Sequence, residues 1–83
     1  GNRPNKYNIG FNAMKLIHVG KCVVAAQELK RITSVEFAKI AKTSPQQVLR
    51  WRTQSNMKLH TIQRVCDALD ISLESFITFG YKV

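Results

Sequence analysis

Gln46, Gln47 and Arg50 lie close together in the segment from Ser34 to Thr53, SVEFAKIAKTSPQQVLRWRT. The forked donors and acceptors of Gln match the edge of adenine in the major groove of DNA, and the fork of Arg matches guanine. The chemistry on offer is therefore recognition by hydrogen bonds. The same three side chains would also make an ordinary solvated helix face, so the reading depends on what else the chain provides.

No bond-making chemistry competes for the assignment. Five Asp and Glu residues offer no paired carboxylates, and there is no Ser/His/Asp or Cys/His set with supporting spacing and no phosphate loop. No catalytic residue is nominated and an enzyme is not expected. His18, Cys22, His60 and Cys66 lack the paired spacing of a metal module, so no metal or cofactor is expected either. Cys22 and Cys66, isolated in apolar segments, read as reduced core thiols.

At 83 residues the chain has room for one hydrophobic core. Thirteen Lys and Arg give a net charge of +8 and a pI near 10.0, which points to a polyanionic partner or to a merely soluble basic surface. No apolar run approaches the roughly 20 residues that span a bilayer, and there is no secretory pattern. The expectation is a soluble cytoplasmic protein with no membrane partner.

The elements that would position the three side chains follow from periodicity and caps. Residues 1–13 read as a flexible leader or an expression remnant, with Met14 a candidate natural start and 14–83 the folded domain. Within the leader Tyr7, Ile9 and Phe11 alternate with polar or small residues, and Lys15 to Val19 favours strand. Cys22, Ala25, Ala26, Leu29 and Ile32 recur at helical spacing, predicting a first helix from about Lys21 to Ile32 with Gly20 at its start.

Thr33 and Glu36 form a capping box that opens a second helix carrying Val35, Phe37, Ala38 and Ala41. Ser44 caps a third, with Pro45 at its first position and Gln47 placed to close a second box. On a wheel of this third helix Val48 and Trp51 point one way, Gln46, Arg50 and Thr53 the other, with Gln47, Leu49 and Gln54 on the flanks. Arg52, on the inward flank, is placed to pair with Glu28 of the first helix.

Leu59, Ile62, Val65, Cys66 and Leu69 predict a fourth helix, and Ser72 caps a short fifth one through Phe76. Beyond it Ile77, Phe79, Tyr81 and Val83 alternate with Thr78, Gly80 and Lys82, which reads as a terminal strand. Such a strand needs a partner, either the N-terminal segment or a second copy of the chain, so Ile77, Phe79 and Tyr81 are the dimerisation candidates.

FAKIAKTSPQQVLRW followed by MKLHTIQRVCDALDISLESF resembles the Cro/cI-type (lambda-repressor-like, XRE) helix-turn-helix family over roughly Lys21 to Phe76. The resemblance implies a mainly α, five-helix domain that binds double-stranded DNA, usually as a dimer, with its helix-turn-helix at about 34–53. It implies base contacts from Gln46, Gln47 and Arg50, to which the wheel adds Thr53. Phosphate contacts would come from Ser34, Lys42, Thr43 and Ser44 around the starts of the second and third helices, and from Lys58 and His60 beyond them.

Three positions depart from the pattern: Lys42 and Gln54 stand where the family usually carries Gly, and Pro45 where a base-reading side chain is common. The resemblance implies a bacterial or phage-encoded transcriptional repressor acting on an inverted repeat. It leaves open an antitoxin that neutralises a cognate toxin and represses its own operon, and a protein-interaction module such as a phage factor that inhibits a host protein.

Overall fold

Five helices follow one another in the computed structural model, which describes residues 17–81 and the side chains of residues 17–79. They are α1 (Val19–Lys30), α2 (Ser34–Ala41), α3 (Pro45–Thr53), α4 (Leu59–Leu69) and α5 (Leu73–Tyr81). Among the described residues there is no strand. No helix among them is long and apolar enough to cross a membrane.

Local capping sets most of the boundaries. Helix α1 starts two residues earlier than periodicity predicts because Nδ1 of His18 accepts the Lys21 N–H at 3.2 Å, placing Gly20 inside the helix. The capping box at α2 is complete: Oγ1 of Thr33 accepts the Glu36 N–H, and Oε1 of Glu36 accepts the Thr33 N–H at 2.7 Å. At α3, Oγ of Ser44 accepts the Gln47 N–H at 3.1 Å, with Pro45 in the first turn. The Gln47 side chain does not return to the Ser44 backbone, so only half of the second predicted box forms. Helix α4 starts after Lys58, whose side chain makes no capping hydrogen bond.

The core gathers Val23, Phe37, Val48, Trp51, Val65 and Phe76 from all five helices. Helix α1 packs on α5 and α3, and α2 packs on α3 and α4. Three residues predicted for the buried stripes, Leu29, Val35 and Leu59, are more than half exposed. Each lies at or next to a helix end, where fewer neighbouring helices reach the side chain, and Val23 and Gln27 fill the interior face of α1 instead.

The predicted C-terminal strand is corrected as far as Tyr81, because α5 runs on through Ile77, Thr78, Phe79 and Gly80. Oγ of Ser72 accepts the Ser75 N–H at 3.1 Å, so the helix is nucleated just before the alternation begins. Phe76 is then fully buried, and Ile77 and Phe79 pack partly against the core. Burial at 76, 77 and 79 follows a helical period, since a strand would turn Phe76 to the face opposite Ile77 and Phe79, and the cap starts that helix. The strand candidates Tyr7 to Phe11, the leader, and Lys82 and Val83 lie outside the described residues.

Candidate nucleic-acid interface

Helix α3 is anchored along one side by Val48 and Trp51, both almost fully buried. Each apolar side chain so buried contributes about 1.5–3 kcal/mol. The Trp51 ring lies 5.8 Å from that of Phe37 at 49°, a tilted arrangement that aromatic pairs favour. At its far end α3 meets the start of α1, where the Val19 N–H donates to the Ser55 carbonyl at 3.2 Å and the Gly20 N–H to the Gln54 carbonyl at 2.7 Å. The free N–H groups of one helix thus satisfy carbonyls just past the end of another. Glycine is required here by proximity, since a Cβ at position 20 would lie 2.6 Å from the Arg52 carbonyl oxygen and 2.7 Å from that of Gln54.

A buried amide ties the same end to α2. Gln27, only 5% exposed, accepts at Oε1 from Nη1 of Arg52 at 2.7 Å and donates from Nε2 to the Ile32 carbonyl at 3.1 Å and to Oγ of Ser34 at 3.3 Å. The partner of Arg52 is therefore Gln27 and not the expected Glu28. One side chain joins α1, the loop after it, the start of α2 and the last turn of α3.

The turn between α2 and α3 is left-handed at Lys42, with φ 58° and ψ 51°, the conformation for which the family uses Gly. The Thr43 N–H donates to the Ala38 carbonyl at 2.8 Å and the Lys42 N–H to the Lys39 carbonyl at 3.2 Å. Arg64 of α4 reaches across to the turn. Its Nη2 donates to the Ala41 and Lys42 carbonyls at 2.9 and 3.0 Å and its Nε to the Ala41 carbonyl at 3.3 Å, while Cζ stands 5.9 Å from the Trp51 ring centre. Sequence reasoning missed Gln27 and Arg64 because their partners lie 25 and 23 residues away.

On the outer side of α3, Gln46, Arg50 and Thr53 are exposed and Gln47 is half-buried. The side chains of Gln46, Gln47 and Arg50 make no hydrogen bond to the described residues, whereas the Thr53 hydroxyl donates to the Arg50 carbonyl at 3.0 Å. Ser44 is exposed beside them; Ser34 and Thr43 are half-buried, and Ser34 already accepts from Gln27. Lys42, Lys58 and His60 are exposed.

Two clefts gather these residues on either side. Lys42 and His60 line one with Gln63 and Arg64 between the end of α2 and α4, and Gln47 and Lys58 line another with Gln54 and Asn56 beside Trp51. From Phe37 to Cys66 the chain has no Asp or Glu but carries Lys39, Lys42, Arg50, Arg52, Lys58 and Arg64. That acid-free stretch, legible in the sequence, covers α3, the turn and the whole cleft beside Trp51, while the cleft at Lys42 and His60 also carries Asp67 on its lining. The described acids, Glu28, Glu36, Asp67, Asp70 and Glu74, fall on either side of it in the sequence.

Among the described residues no group of three metal-ligating side chains comes together. Cys22 and Cys66 are buried thiols. Burial, with smaller contributions from Asp67 and Cys22, pushes the Cys66 thiol above its ordinary value.

Two short helices joined by a tight turn, the second pinned to the core along one side and polar along the other, define a helix-turn-helix domain. A family model of the Cro/C1-type HTH DNA-binding domain matches residues 28–80, more than half of the chain, and the protein belongs to that family. It is a DNA-binding, helix-turn-helix protein of the class that regulates transcription. Neither the curated proteins nor the solved structures compared with the chain include a match.

Proposed function

We propose that the protein is a sequence-specific repressor that binds an inverted-repeat operator as a dimer, in the bacterial or phage-infected cytoplasm. The observation that carries the reading is the division of α3 into a side locked by Val48 and Trp51 and a side on which Gln46, Gln47 and Arg50 have no hydrogen-bond partner among the described residues. Two copies would set their α3 helices in successive major grooves about 34–36 Å apart. Arg50 would favour guanine and Gln46 or Gln47 adenine, with Thr53 at the edge of the read site. Ser34, Lys42, Thr43, Ser44, Lys58 and His60 would hold phosphates, which fix register without reading sequence.

Selection of bound duplexes from a random pool, followed by binding titrations, tests this. Arg50→Ala should relax base preference at one position per half-site, at a cost of about 1–3 kcal/mol. Lys58→Ala should weaken binding to every sequence alike and lower the salt slope by about 0.9. Equal losses on selected and random DNA for both variants would defeat the assignment. The terminal alternation that favoured an antitoxin lies in α5 as far as Tyr81, so that feature does not support the antitoxin reading.

A further inference from the structure

Leu49 is an aliphatic side chain 53% exposed on α3, where the other exposed residues, Gln46, Arg50 and Thr53, are polar. At about 100° per residue it stands about 40° around α3 from Thr53 and about 60° from Gln46. It is one turn before Thr53 and directly adjacent in sequence to Arg50. Leu29, Val35, Ile40 and Leu59, also more than half exposed, belong to other helices.

We infer that Leu49 is a specificity-determining contact for the C5 methyl group of a thymine. The inference rests on the DNA-binding reading above and extends it to an apolar contact. When the outer side of α3 enters a major groove, every side chain on it must meet a base edge or stay in water. Gln46 and Arg50 meet hydrogen-bonding edges. Among base edges in that groove the thymine methyl is the apolar projection, so it is the group against which Leu49 loses exposed surface without stripping water from a polar atom. A cytosine placed there would present its amino donor and no methyl, and a buried donor without a partner is disfavoured. The discrimination is therefore twofold: gain from the methyl and penalty against cytosine.

The decisive perturbation deletes the methyl and nothing else. Starting from a duplex selected by the wild-type protein, each thymine of a half-site is replaced in turn by uracil, which keeps every hydrogen-bonding group. Wild type should lose about fourfold in affinity per half-site at one of these positions, the factor expected for burial of one methyl group. Leu49→Ala should bind the thymine duplex more weakly by at least that factor and should not distinguish thymine from uracil at that position. Its thermal unfolding should match wild type, because Ala is the strongest helix former and the side chain is half exposed.

A uracil scan that is flat in wild type, or identical in wild type and Leu49→Ala, overturns the inference while leaving the DNA-binding reading intact. An unchanged affinity of Leu49→Ala combined with a changed mass in solution also overturns it, and assigns Leu49 to a contact between copies. Failure of the wild-type protein to retain any duplex at low salt removes the DNA-binding reading itself, and the inference with it.

Discussion

Replacing Arg64 with Ala tests how the helix-turn-helix tolerates a lysine in a left-handed turn. The guanidinium makes three contacts with the Ala41 and Lys42 carbonyls, at 2.9, 3.0 and 3.3 Å, and lies over Trp51. A hydrogen bond with one charged partner contributes about 1.5–3 kcal/mol net when well formed. Arg64 is largely exposed, so water competes and the lower end applies, and the two Ala41 contacts share one oxygen. An exposed cation over an aromatic ring adds about 0.5–1 kcal/mol. Together these give a loss of about 2–3 kcal/mol for Arg64→Ala. Urea denaturation followed by Trp51 fluorescence should show a lower midpoint with an unchanged slope. Arg64→Lys keeps the charge but not the fork and should recover less than half. A loss below about 0.5 kcal/mol, the size of an ordinary surface change, would refute the claim that this side chain holds the turn.

Gly20→Ala should destabilise by about 1–3 kcal/mol, the usual range for overpacking, because its Cβ meets the backbone oxygens of Arg52 and Gln54; a neutral effect in the same denaturation assay would contradict the close approach. Lys42→Gly should stabilise by about 1 kcal/mol through relief of left-handed strain, while lowering affinity for all DNA sequences if Lys42 holds a phosphate. The Cys66 thiol, raised by burial, holds its proton more tightly folded than unfolded. Its contribution to stability is full below the unfolded thiol value and declines as pH rises through the folded one. Stability measured between about pH 8 and 10 should therefore fall less steeply in Cys66→Ala, after correction for the variant's own lower baseline.

The legible parts of the fold were those fixed within one turn of helix. Thr33 with Glu36, and Ser44 with Pro45, announce the starts of α2 and α3, and the structure places caps at both. The wheel of α3 is equally local, and Val48, Trp51, Gln46 and Arg50 face as it predicts. What the sequence hid is long-range. A Gln in α1 and an Arg in α4 look like surface residues until the chain folds and carbonyls and a guanidinium arrive from more than twenty positions away. The apolar residues at helix ends misled in the opposite sense, because periodicity marks a face but not whether a neighbour covers it. For the last helix the alternation of Ile77, Phe79 and Tyr81 is too short to separate a period of two from one of 3.6, and the outcome turned on the Ser72 cap.

The side chains that hold α3 in place are separate from those on its outward side. Gln27, Arg52, Gly20 and Arg64 bear the structural duty, and they touch the helix through its inner side, its ends or the turn before it. Gln46, Leu49 and Arg50 bear none of it, so exchanging them should shift stability by no more than about 0.5 kcal/mol. On the proposed reading of DNA by that trio, a lineage carrying this scaffold would acquire new targets through single codon changes at three sites while its folding stays intact, and an engineer could randomise the same positions without first stabilising the host.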